Sequence, residues 1–149
     1  MSVLEIDMTE AVRAFTVFQV TLAKGVQAAT KAEAEATRTR IVSGAYWKNR
    51  RGRLAKSFKV STHPEMLGAM LRSGSRVAVF INAGTKPHPI TGRPLRFLVA
   101  GSPVFTRKVM HPGTKPQDFE RKETAAAEPL TLAAIEAALS TALARSNLG

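Results

Sequence analysis

The chain has 149 residues, 44% of them hydrophobic and 6% aromatic, which suits one domain with a single modest core and not two. It contains no cysteine, so a disulfide framework, a thiolate metal site and a cysteine nucleophile are excluded. The net charge is +11, no apolar run nears the roughly 18 residues of a membrane span, and the opening MSVLEIDMTE is acidic; the expectation is a soluble chain made in the cytoplasm, without a signal peptide.

From Met8 to Ile41 the positions Phe15, Phe18, Leu22, Val26, Ala29, Ala32 and Ala36 recur at steps of three and four, which predicts a helix over 8–43. Thr9 and Glu10 suit its start, and Gly25 inside it marks a bend or close packing. Gly44, Asn49 and Gly52 end the helix and open a basic loop over 44–56. That loop carries the only tyrosine, Tyr46, and the only tryptophan, Trp47. Either the rings stack on nucleic-acid bases while arginines hold phosphates, or they cap the core while the charges sit in solvent. Ser57 to Ser61 alternates as a strand, and His63-Pro64-Glu65 turns the chain. Met66 to Leu71 reads as a strand, with a short helix as the alternative. Ser73-Gly74-Ser75 then closes a hairpin into Val77 to Ile81, a run β-branched or aromatic at four of five positions and so itself strand-like.

Lys86 to Pro94 has three prolines in nine residues, which rules out helix and central strand and predicts a stiff projecting arm over 85–94. Leu95–Val99 and Val104–Met110 pair as antiparallel neighbours around Ala100-Gly101-Ser102-Pro103, a loop longer than two residues. One tetrapeptide occurs twice, as Gly84-Thr85-Lys86-Pro87 and Gly113-Thr114-Lys115-Pro116. The second copy has Thr114 placed as N-cap of a helical segment over 114–145, in which Pro129 kinks or restarts the helix. Leu132, Ile135, Leu139 and Leu143 form its apolar stripe, for the sheet or for a neighbouring subunit. The fold class expected is α+β: a long N-terminal helix and a C-terminal helix packed on a four- or five-stranded, mainly antiparallel sheet spanning 57–113, all in one domain over 1–149.

The positive charge is segregated. Residues 36–117 carry sixteen basic side chains against one acid, Glu65, while each end of the chain carries three basic and five acidic ones. A face of one sign implies a polyanion or an acidic partner, and in a ring the acidic helices of one subunit could meet the basic middle of the next. Catalytic material is lacking: no poised carboxylate pair and no nucleophile-elbow serine is present, so no enzyme is expected. His63, His88 and His111 all precede proline and stand 25 and 23 residues apart, which argues for turns and against a metal site. Gly-Thr-Lys is followed by proline in both copies and does not make a phosphate loop. No cofactor is implied.

Taken together, Gly52-Arg53-Leu54, Ser57, Gly84-Thr85, His88, His111-Pro112-Gly113 and Phe119, in this order of elements over residues 10–125, resemble the small neck and tail-completion proteins of long-tailed bacteriophages. The resemblance implies a virion protein of the head-to-tail junction, a homo-oligomeric ring linking the portal-side connector to the tail. Its partners would be further copies of itself, a portal-side connector or head-closure protein, and a tail terminator or tail-tube protein; no membrane is involved. Contacts between subunits or rings are expected at Gly84, Thr85, Lys86, Pro87, His88, Pro89, Ile90, His111, Pro112, Gly113 and Phe119. The basic residues Arg38, Arg40, Lys48, Arg50, Arg51, Arg53 and Lys56 would face the channel, where non-specific contact with genomic DNA is possible, or acidic partner proteins. The alternative class is a small basic cytoplasmic nucleic-acid-binding protein using the basic loop.

Overall fold

The computed structural model describes residues 8–48, 51–62 and 67–146, so expectations that fall on Asn49, Arg50, His63, Pro64, Glu65 and Met66 lie outside the described residues. Its elements are α1 (Thr9–Ser43), α2 (Arg53–Ser57), β1 (Phe58–Thr62), β2 (Ala69–Ser73), α3 (Arg76–Ala83), β3 (His88–Val99), β4 (Ser102–His111) and α4 (Phe119–Ser146). The class is α+β with a long helix at each end. In place of a single sheet there are two separate antiparallel pairs, β1–β2 and β3–β4.

The two long helices pack chiefly on each other, antiparallel, and α1 also lies against β1 and β2. Their seam is made of small residues. A Cβ on Gly25 would stand 2.9 Å from the Cβ of Ala138, so the glycine marks close helix approach and not a bend. On α4 the seam runs through Ala138 and the fully buried Ala142. Of the apolar stripe expected on this helix for the sheet or for a neighbouring subunit, Leu132, Leu139 and Leu143 are exposed and Ile135 is half-buried, so the stripe is not laid on a sheet of its own chain. Pro129 does not restart the helix, since α4 runs through it without a break.

Where α1 ends, the core begins. Ile41, Phe58, Ala78 and Phe119 are buried together, with Val42, Tyr46, Trp47, Leu54, Leu71 and Ile81 packed around them. Trp47 stacks on Phe58 at 5.9 Å, and Phe119 meets Phe58, Trp47 and Tyr46 at 6.0, 6.1 and 5.7 Å. Such ring pairs add about 0.5–1.5 kcal/mol each beyond burial.

Val77 to Ile81 is helical, contrary to the strand its composition predicts. Ser75 accepts a hydrogen bond from the Val77 N–H, capping α3. Ala78 and Ile81, three apart, then reach the core from one face, a placement no strand would give. β2 accordingly pairs with β1, from Phe58↔Ser73 to Thr62↔Ala69, and not with the 77–81 run.

The helical segment does not begin at Thr114 either. α4 starts at Phe119 and is capped from another element: the Asn82 side-chain oxygen accepts from the Glu120 N–H at 3.0 Å, and its amide donates to the Glu120 carboxylate at 3.1 Å. The last carbonyls of α3, those of Ile81 and Asn82, accept from the N–H groups of Gln117 and Asp118. One helix end thus satisfies the other.

Residues 88–91 of the expected proline arm are paired strand, the first part of β3, opposite β4 from His88↔His111 to Thr91↔Lys108. Gly92, Arg93 and Pro94 bulge out of the ladder, a position that suits a proline without an N–H, before pairing resumes at Leu95↔Thr106. The turn is shorter than predicted: Val99 pairs with Ser102, leaving Ala100 and Gly101, both at positive φ, as a two-residue loop.

The root of this ribbon is closed by the repeated tetrapeptide. Thr85 and Thr114 exchange backbone hydrogen bonds of 2.9 and 3.1 Å, and the Thr85 hydroxyl also accepts from the Thr114 N–H. Gly84 and Gly113 both have positive φ, and a Cβ on either would run into the other copy's backbone. Gly101 also has positive φ but faces open space. Gly101→Ala should therefore cost about 1 kcal/mol for the left-handed conformation alone. Gly113→Ala should cost about 3 kcal/mol because the Thr85 carbonyl must also move. Chemical denaturation of the two variants checks this, and equal losses would contradict the clasp.

Candidate functional site

The antiparallel register that joins Thr85 to Thr114 also places His88 opposite His111, and their rings stack with centroids 5.1 Å apart. His88 Nδ1 lies 2.9 Å from the Lys86 carbonyl, which fixes that nitrogen as the donor. His111 Nδ1 accepts from the Gly113 N–H at 3.0 Å. The two histidines thus brace the two Gly-Thr-Lys-Pro turns. Among the described residues no group of three or more His, Asp or Glu stands together in a metal-holding arrangement.

Of the residues expected at contacts, Gly84, Thr85, Ile90, His111 and Gly113 are half-buried in or beside this clasp. Lys86, Pro87, His88, Pro89 and Pro112 are exposed around it. Phe119 is the exception: at 5% exposure its ring lies mostly inside the chain's own core.

The basic set divides as well. Arg38 donates through Nε to the Phe58 carbonyl at 2.9 Å and stands 3.9 Å from Glu35. Arg40 bridges Glu33 at 2.8 Å and Glu123 at 2.9 Å, tying α1 to α4. Both arginines are therefore occupied within the fold and do not form a free channel lining. Lys48, Arg51, Arg53 and Lys56 are exposed and make no ion pair with another described residue; Arg50 lies outside the described residues. Tyr46 and Trp47, the rings that could have stacked on bases, are consumed by Phe119 and Phe58.

What composition could not show is how much apolar surface stays uncovered. Beyond the bulge, the ribbon exposes Leu98 at 66% and Phe105 at 64%, with Phe97, Val99 and Val104 beside them. It makes no extensive contact with any other element. A two-stranded ribbon wet on both faces is marginally stable by itself in water. Val79 and Phe80 on α3, Val12 and Phe15 on α1, and the α4 leucines add further exposed apolar groups.

Beside the core, α1, α3 and α4 enclose a cleft of about 400 Å³ floored by Ile41, Phe58, Leu71, Ala78, Val79 and Phe119. Its polar wall, formed by Asn82, Glu120, Glu123 and Thr124, continues into a shallow depression that includes Asp118 and Glu128. No ionisable constellation suited to acid–base chemistry converges there; the cleft is an apolar seat with an acidic margin.

No family model, curated protein or solved structure matches the chain.

Tyr46 donates its hydroxyl proton to Glu123 at 2.7 Å, and this bond, followed by burial, raises its pKa above the ordinary 10. Arg40 is likewise raised, first by its hydrogen bond to Glu33. The folded chain then holds the Tyr46 proton more tightly than the unfolded chain. The stabilisation is complete below pH about 10 and is lost as pH rises through the folded value. Tyr46 is the single tyrosine, so its phenolate absorbance reports this group alone. Ultraviolet titration should give a midpoint above 10 in the wild type and one nearer 10 in Glu123→Gln; identical midpoints would contradict the bond.

Proposed function

We propose that this chain is a structural protein of the head-to-tail junction of a long-tailed bacteriophage, working as a homo-oligomeric ring between the portal-side connector and the tail. The observation that carries the assembly part is surface left uncovered. Among the described residues Leu98, Phe105, Val79 and Phe80 are each more than half exposed, with Phe97, Val99, Val104 and the α4 leucines beside them. Contiguous apolar surface of that kind marks an interaction site on a protein.

The placement of the motif residues supports the phage part. The Gly84-Thr85 and His111-Pro112-Gly113 elements that carry the resemblance are the ones that meet at the root of the ribbon, so the shared residues are those that hold a projecting structure in place. The partners are further copies of the chain, a connector or head-closure protein on one side, and a tail terminator or tail-tube protein on the other. Lys48, Arg51, Arg53 and Lys56 provide the positive surface for passing DNA or for an acidic partner. The nucleic-acid-binding reading loses its stacking rings to the core and keeps only phosphate attraction, which reads no sequence.

Quantitative mass spectrometry of purified particles, with this chain counted against the major capsid and tail-tube proteins, tests the reading. About six or twelve copies per particle are expected from closed ring symmetry. Absence from particles, with the chain co-purifying instead with cellular nucleic acid, would overturn it.

A further inference from the structure

Resting on the ring reading above, we infer that the subunits are joined by the tip of the β3–β4 ribbon of one copy seated in the cleft between α1, α3 and α4 of the next. The chemistry of the two surfaces is matched. Cross-strand pairing of Arg96 with Phe105 and of Leu98 with Pro103 puts these four residues on one face of the ribbon, and strand alternation adds Arg107 to it. That face is apolar at the tip and basic just behind it. The cleft is apolar on its floor, at Phe58, Ala78, Val79 and Phe119, and net acidic at its edge, where Glu120 and Glu128 stand beside an Arg121 already paired with Asp118. Leu98 and Phe105 entering the floor would bring Arg96 and Arg107 to that edge, so burial supplies the stability and charge fixes the orientation. A cleft of about 400 Å³ admits a few such side chains and not a whole strand, as a tip-first contact requires.

The contact has to be between copies. The cleft wall includes Asn82 and Glu120, which adjoin the clasp at the ribbon's root, whereas the tip lies eleven residues of β3 further out, about 35 Å at strand rise. The ribbon accordingly makes no extensive contact with α1, α3 or α4 of its own chain. Ribbon and cleft are also different surfaces of one chain, so each copy gives one and takes one. Such a head-to-tail contact closes into a ring when its rotation permits.

Two substitutions at exposed positions separate donor from acceptor: Phe105→Asp on the ribbon and Val79→Asp in the cleft, residues 64% and 63% exposed in the single chain. Circular dichroism of each variant should match the wild type. By native mass spectrometry the wild-type chain should form a closed oligomer, and each variant alone should be monomeric. An equimolar mixture of the two variants should give a heterodimer and nothing larger, because only one intact ribbon and one intact cleft remain per pair. Rings of wild-type size from either variant would overturn the ribbon-in-cleft contact while leaving the ring itself standing. A mixture without heterodimer would also overturn it. So would a wild-type chain that stays monomeric at every concentration, including one whose ribbon is captured by a different virion protein; the particle count then judges the ring reading separately.

Discussion

The pairing of Thr85 with Thr114 is the constraint through which the two halves of the molecule are joined. It lies where the chain leaves α3, runs out along β3, returns along β4 and enters α4. On one side of it the carbonyls of Ile81 and Asn82 hold the N–H groups of Gln117 and Asp118 just ahead of α4, and the Asn82 side chain caps the Glu120 N–H, which sets Phe119 into the aromatic core. On the other side His88 and His111 stack and the ribbon begins. Both glycines of the clasp sit where any Cβ would strike the opposite backbone, so the approach depends on glycine at both positions. Without it, ribbon and core would be connected only through flexible turns.

Few large residues are fully withdrawn from water in this chain. The core is one cluster around Phe58 and Phe119, and the α1–α4 seam is lined by alanine and glycine, which bring the helices close but bury little area per residue. Leucines and valines that a self-sufficient monomer would bury are left outside. This distribution suits the ring subunit proposed above, and within the chain the network of Glu33, Arg40, Glu123 and Tyr46 braces α1 against α4. The network links residues on α1, α4 and the following turn, so it specifies their register as well as contributing stability.

Local pattern made several elements legible. The bounds of α1 followed from its apolar stripe and from Gly44, and the Leu95–Val99 and Val104–Met110 pairing followed from alternation around a glycine turn. The failures share a cause, since each turned on a partner distant in sequence. Val77 to Ile81 became a helix because the core needed Ala78 and Ile81 on one side, which outweighed β propensity. Thr114 was drawn from a capping role into pairing with Thr85, and Asn82, 38 residues before Glu120, took the cap. One signal was available in the sequence: Gly-Thr-Lys-Pro-His-Pro and His-Pro-Gly-Thr-Lys-Pro flank the hairpin with their histidines and threonines at mirrored positions, which an antiparallel ribbon brings face to face.

The central claim is that the ribbon is anchored within the subunit but covered only by assembly. Hydrogen exchange of the free chain at low concentration, compared with that of the assembled protein, tests it most directly. The amides of Thr85 and Thr114 should be protected in both states, whereas those from Leu95 to Thr106 should exchange rapidly in the free chain and slowly once assembled. Equal protection of the 95–106 amides in the two states would contradict it.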